Sequence, residues 1–140
     1  MNDVIINKIA TIERCLSRID IVYKEVGDKF STDYTRQDSI ILNLQRACEA
    51  AIDIANFINK QKKLGIPQSS RDSFELLLKA QLLPEILTLN LKKMVGLRNI
   101  AVHDYQELNL PIIKYVIEHH LTDFEEFIKV IKQMGLIKPR

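Results

Sequence analysis

The sequence predicts an all-α fold, an up-and-down bundle of about five helices, and three observations carry that prediction. Apolar residues recur at steps of three and four over long stretches, no stretch alternates convincingly with period two, and Gly and Pro number only four each among 140 residues. A chain of this length closes one core and not two. Residues 1–140 are therefore expected to form a single domain.

The elements follow from the same pattern. Ile5, Ile9, Ile12, Leu16, Ile19, Tyr23 and Val26 fall on one stripe, which predicts a helix from about Asp3 to Val26, stopped by Gly27. In "TRQD", Thr35 is the expected cap of the second helix, with Asp38 reaching back as in a capping box. Its stripe is Ile40, Leu44, Ala47, Ala51, Ile54 and Ile58, and Gly65 and Pro67 end it. Ala47, Ala50, Ala51 and Ala55 let a neighbouring helix approach closely, a face that suits packing better than catalysis.

"SSRDSFELLLKAQ" reads as a short third helix capped by Ser69 or Ser70, and Pro84 suits the first turn of a fourth, from about Leu83 to Ala101 or a little beyond. Pro111 marks the next start. From there Ile112, Ile113, Val116, His120, Phe124, Phe127, Ile131 and Met134 continue one stripe towards Gly135. Thr122 and Glu125 have capping-box spacing inside it, so this last segment reads equally as one bent helix or as two.

Composition narrows the functional classes. A net charge of +2 does not by itself mark a nucleic-acid binder, so any electrostatic argument must be local. Cys15 and Cys48 lie far apart with no CxxC pairing, as buried thiols of a reducing cytosol do. Polar residues interrupt the first apolar positions, and no window is long and apolar enough to span a bilayer. A cytoplasmic protein without membrane contact is expected.

The sequence holds no GxxxxGKS/T loop, GxGxxG, HExxH or EF-hand spacing, and its carboxylates are scattered along solvated faces. His119 and His120 point about 100° apart on a helix, and no nearby His or Cys completes a tetrahedral set. Neither a metal site nor a cofactor is expected. What remains is "LRNIAVHDY", in which Arg98, His103 and Tyr105 surround a short apolar run.

Arg98 carries a permanent charge on a planar fork suited to phosphate, and His103 can exchange a proton near neutral pH. Together they suffice for RNA cleavage through the 2′-hydroxyl, His103 moving the proton and Arg98 stabilising charge on the phosphoryl group. Geometry sets a condition. Five residues on an ideal helix turn through about 500°, so Arg98 and His103 diverge by roughly 140°, whereas Arg98 and Tyr105 lie within about 20°. Either the helix ends before His103, or two copies of the motif share a cleft. Spacing alone favours a plainer alternative: a helix end in which Arg98 pairs with a carboxylate, His103 caps the last carbonyls and Tyr105 packs its ring.

Resemblance shifts that balance. "GLRNIAVHDY" resembles the Arg-x4-His-x-Tyr signature of the HEPN superfamily, and specifically of HepT-like ribonuclease toxins. "LQRACEAAIDIANFI" resembles that family's second helix, with its acidic residue and small-residue face, and "LPIIKYVIEHHLTDFEEFI" resembles the segment after the motif. The likeness covers essentially the whole chain. It implies the toxin of a type VII-like toxin–antitoxin pair, a metal-independent endoribonuclease with RNA as substrate and Arg98 and His103 as its catalytic pair.

The resemblance further implies a homodimer whose two motifs line one cleft. It makes Tyr105 the tyrosine modified with AMP by a partner nucleotidyltransferase antitoxin of the MNT type. The added bulk and negative charge would lie where substrate phosphate should sit. Asn99 matches a position beside the Arg to which no role is assigned. The alternative from another class is a noncatalytic helical module that binds and positions substrates for a partner nucleotidyltransferase.

Overall fold

The computed structural model describes residues 2–135; Met1 and residues 136–140, the ends of the expected 1–140 domain, lie outside the described residues. Six α-helices follow one another: α1 Asn2–Val26, α2 Tyr34–Gln61, α3 Ser70–Lys79, α4 Glu85–His103, α5 Leu110–His119 and α6 Leu121–Gln133. Short 3-10 turns occupy Gly27–Lys29 and Tyr105–Glu107. Among the described residues there is no strand, as an all-α bundle requires. No helix is long and apolar enough to cross a membrane among them.

The stripe of α1 is buried at Ile5, Ile9, Ile12, Ile19 and Val26, with Cys15 beside it, and faces Ile40, Leu44, Ala47, Ala51, Ile54 and Ile58 of α2 across one core. The alanines leave no side chain to hold the two helices apart. Gly27 takes φ +49, a left-handed conformation that ends α1 at little steric cost. Phe30 then folds back under Tyr23, with ring centroids 5.6 Å apart and nearly perpendicular planes.

Helix α2 begins earlier than the expected Thr35 cap. Asp33 has the non-helical backbone a cap needs, and its Oδ1 accepts from Arg36 N at 3.1 Å. Thr35 is already inside the helix, and Asp38 stands in the second turn rather than closing a capping box. The other end comes at Gln61, before Gly65, where the Lys62 N–H bonds back to Ile58 O at 2.9 Å. Ser69 caps α3 by accepting from Asp72 N at 3.1 Å, which decides between the two serines. Pro84 is the residue before α4 rather than part of its first turn, and its ψ of 148° is extended.

Asn109 caps α5 by accepting from Ile112 N at 3.1 Å. The last apolar stripe is two helices, because His120 leaves the helical region with φ −123° and ψ 0°. Its ring Nδ1 lies 2.9 Å from Asp123 Oδ2, and that pair marks the start of α6 in place of the expected Thr122–Glu125 box. His119 lies against the Tyr115 ring, centroids 4.4 Å apart.

The core is closed by Phe74, Phe124 and Phe127, all fully buried, with Phe74 and Phe127 in edge-to-face contact at 5.8 Å between α3 and α6. Two buried amides add polar ties: Gln37 Nε2 donates to Phe30 O at 2.6 Å, holding the turn before α2, and Asn59 Nδ2 donates to Ser73 O at 2.9 Å, joining α2 to α3. Cys15 and Cys48 are buried free thiols. Truncating Phe127 to Ala removes the α3–α6 ring contact and leaves a cavity, a loss of about 3–5 kcal/mol of unfolding free energy. Urea denaturation followed by circular dichroism should show it as a lower midpoint with an unchanged slope.

Candidate functional site

Helix α4 carries both Arg98 and His103 without a break. The Asp104 N–H donates to Ile100 O at 2.8 Å, so the backbone is helical up to His103, and only at Asp104 does φ move to −153°. The expected helix end before His103 is therefore not found, and the divergence of roughly 140° between the two side chains stands. Nor does Tyr105 align with Arg98 along the helix, because it lies beyond the last helical residue, in the turn Tyr105–Glu107.

Arg98 turns inward. Its side chain is 17% exposed; Nη2 donates to Ser70 Oγ at 2.9 Å, and Nη1 lies 4.0 Å from Glu49 Oε2. The guanidinium is thus held between the start of α3 and the middle of α2, with its buried Nε left without a hydrogen-bond partner. A pair at 4.0 Å whose carboxylate is 43% exposed contributes little energy, so its effect is orientation. His103 leaves α4 roughly 140° away from Arg98, exposed, near the exposed Ile100 and Val102. One chain therefore does not bring Arg98 and His103 together.

Three residues that hold this arrangement were invisible to the motif: Glu49, Ser70 and Arg71. Arg71 Nε donates to Lys92 O at 3.3 Å, which lays its guanidinium across α4. A Cβ at Gly96 would stand 2.7 Å from Arg71 Nη2, so glycine is what permits the approach. Ser70 and Arg71 together dock α3 on α4 at two points, and Lys92 adds a third through its pair with Glu75. The only signal in the sequence was a glycine in a helix interior, which costs about 1 kcal/mol relative to alanine and asks for a packing reason.

Tyr105 reaches the other end of α2. Its hydroxyl donates to Asp38 Oδ1, while the residue stays 43% exposed. Burial first, then the hydrogen bond and the charge of Asp38, push its pKa up to about 12. Asp38 and Glu49 are eleven positions apart, about three turns, so they share one face of α2 at a spacing of about 16 Å. Burial likewise pushes the Cys48 thiol up to about 12 despite the nearby Arg98, which makes it a core residue rather than a nucleophile.

Between α4 and α5 lies a groove of about 510 Å³ lined largely by apolar side chains, among them Leu97, Ile100, Ile112, Tyr115 and Val116. Ile100, which lines the groove, is one turn from His103 on α4; the histidine itself is not part of the lining.

A family model described as Ribonuclease HepT-like matches residues 12–131, most of the chain. The chain belongs to the ribonuclease HepT-like family. It is 68% identical over 132 residues to the mRNA nuclease HepT of Shewanella oneidensis, covering 94% of this chain and 98% of that protein. Among solved structures, the tri-AMPylated Shewanella oneidensis HEPN toxin in complex with MNT antitoxin matches at 68% identity with a TM-score of 0.91, over 95% of this chain and 99% of that one. A toxin–antitoxin structure with AMP-PNP matches at 66% identity and a TM-score of 0.90, over 94% and 98%. The expected HEPN-type helical bundle is the fold observed.

In this HepT-like chain the Tyr105–Asp38 bond has a spectroscopic consequence. Tyr23 is also pushed up to about 12, by burial and by its bond to Glu118, so both should stay protonated while ordinary tyrosines ionise near about 10. The raised folded value means that stability from the Tyr105 bond is complete below about pH 10 and is lost as pH climbs towards about 12. In ultraviolet titration, Asp38→Asn should return one of the two late tyrosines towards the ordinary range. An unchanged curve would mean that burial alone raises the Tyr105 value.

Proposed function

We propose that this chain is the toxin of a type VII-like toxin–antitoxin pair: a cytoplasmic, metal-independent endoribonuclease that cuts mRNA and is neutralised by an MNT-type nucleotidyltransferase. The observation that carries the reading is near full-length likeness to a tri-AMPylated HEPN toxin held by its antitoxin, in a chain with Arg98, His103 and Tyr105 at signature spacing. Residues 1–140 act as one domain. RNA is the substrate, and no resident cofactor or metal takes part.

In this reading Arg98 faces the scissile phosphate and stabilises the charge that grows on it, while His103 moves a proton at the 2′-hydroxyl or the leaving oxygen. Because α4 keeps those two side chains apart, the working site is built by a homodimer. The apolar groove one turn from His103 on α4, with the exposed Ile100, Ile112 and Tyr115, is the face that a second copy would cover. Each copy then contributes its motif to one cleft. Transfer of AMP to Tyr105 adds bulk and a negative charge at the rim of that cleft, which opposes the RNA backbone without requiring any change of fold.

Cleavage of RNA by the purified dimer should survive EDTA. Arg98→Ala and His103→Ala should each lower it by about 10²–10⁴-fold while helical content is unchanged. Full cleavage by both folded variants would reject the pair, and intact RNA at every dose of the unaltered protein would favour the noncatalytic module. Intact mass after incubation with ATP and the nucleotidyltransferase should rise in AMP steps for the unaltered chain and stay constant for Tyr105→Phe. Equal gain in both would remove Tyr105 as the acceptor.

A further inference from the structure

We infer that Asp38 is the proton acceptor and positioning residue for AMP transfer to Tyr105, so that the chain supplies part of the chemistry of its own modification. The inference rests on the reading of Tyr105 as the AMP acceptor. A phenol attacks phosphorus well only as its proton leaves, and Tyr105 holds that proton more tightly than an ordinary tyrosine. The group in place to receive it is Asp38 Oδ1, to which the hydroxyl already donates.

Three features make Asp38 suited to this. It stands inside the second turn of α2, so its backbone is fixed by the helix and only one end of the bond needs to be placed. No ion pair engages its carboxylate among the described residues: the nearby Arg36 is spent on Asp33 at 3.1 Å and Glu25 at 3.5 Å. It is also exposed, so a proton taken from Tyr105 has an outlet to solvent. Tyr105 itself is 43% exposed in a 3-10 turn, reachable by a nucleotide held on another protein.

The step balances without further reagents than ATP. The Tyr105 Oη to α-phosphorus bond forms and the bond from α-phosphorus to the bridging oxygen of the β-phosphate breaks. Pyrophosphate leaves with that electron pair, and the phenolic proton passes to Asp38 Oδ1 and then to water. The product has no Oη hydrogen, so the bond to Asp38 is not remade.

Tyr23 and Glu118 make the same kind of pair, with Oη donating to Glu118 Oε2 at 2.6 Å, outside the motif, and serve as an internal control. In the complex of this chain with its nucleotidyltransferase, ATP and Mg²⁺, initial rates of mass gain should fall about 10²-fold in kcat for Asp38→Asn. KM for ATP and for the chain should not move. Asp38→Glu, which restores a carboxylate, should recover part of the rate, and Glu118→Gln should leave it unchanged, all variants keeping the helical circular dichroism of the parent.

A wild-type kcat for Asp38→Asn would overturn the inference, as would a loss confined to KM, which would make Asp38 a docking contact. The two readings fail separately. AMP incorporation that persists in Tyr105→Phe removes the acceptor itself. Silence of Tyr105→Phe together with full speed of Asp38→Asn removes only the role of Asp38.

Discussion

Everything about the candidate site follows from one helix that does not stop. Because α4 stays helical to His103, five residues separate Arg98 from His103 and the two side chains leave the helix roughly 140° apart. Arg98 is directed into the bundle and His103 into solvent, one turn from the Ile100 that lines an apolar groove. Their contacts differ accordingly: Arg98 is engaged by Ser70 and Glu49, and His103 is exposed. A second copy that brings its own motif, as proposed above, would resolve that separation, and the exposed apolar residues of α4 and α5 offer it a face.

The inward arginine also explains why α3 exists in its present form. Ten residues make a helix too short to be stable alone, so α3 depends on what its faces touch. Phe74 and Leu77 fill the core, while Ser70 and Arg71, at the other side of the first turn, grip α4. Gly96 leaves room there for the Arg71 guanidinium, whose Nη2 would stand 2.7 Å from a Cβ at that position. A charged side chain that is mostly buried, as Arg98 is, loses hydration, and the hydrogen bond it donates to Ser70, with the distant Glu49 carboxylate, replaces only part of it. The buried Nε has no hydrogen-bond partner, so the guanidinium is left incompletely satisfied.

The fold was legible where one local rule decided it. The stripe from Ile5 to Val26, the alanine face of α2, the Ser69 region and Pro111 all gave elements close to those observed, because periodicity and caps act within a few residues of chain. Boundaries drifted where two caps competed: Asp33 precedes Thr35 and takes the helix start, and His120 with Asp123 displaces Thr122 with Glu125. The site was legible as residue types and not as geometry. Arg98, His103 and Tyr105 stood out by pattern, but Ser70, Glu49, Asp38 and Arg71 come from helices distant in sequence, and a single chain carries no local mark of such contacts. By spacing, Asp38 belongs to a capping box with Thr35. Freed of that task by Asp33, its carboxylate is available to Tyr105.

Helix α2 therefore serves as the common reference for both halves of the site. One of its faces presents Glu49 to Arg98 and, about 16 Å away along the axis, Asp38 to Tyr105. The turn that carries Tyr105 has no buried residue of its own, so its placement depends on that bond and on the neighbouring Leu108 and Leu110 packed against the core. Arg98 by contrast stands inside α4 and is met by Ser70 of α3 and Glu49 of α2. A modification that removes the Tyr105 hydroxyl proton thus acts on the weakly held end of the motif while leaving the strongly held end in place. On the proposed reading of Tyr105 as the AMP acceptor, the contacts of Arg98 with Ser70 and Glu49 would stay assembled, and silencing would act on access to them.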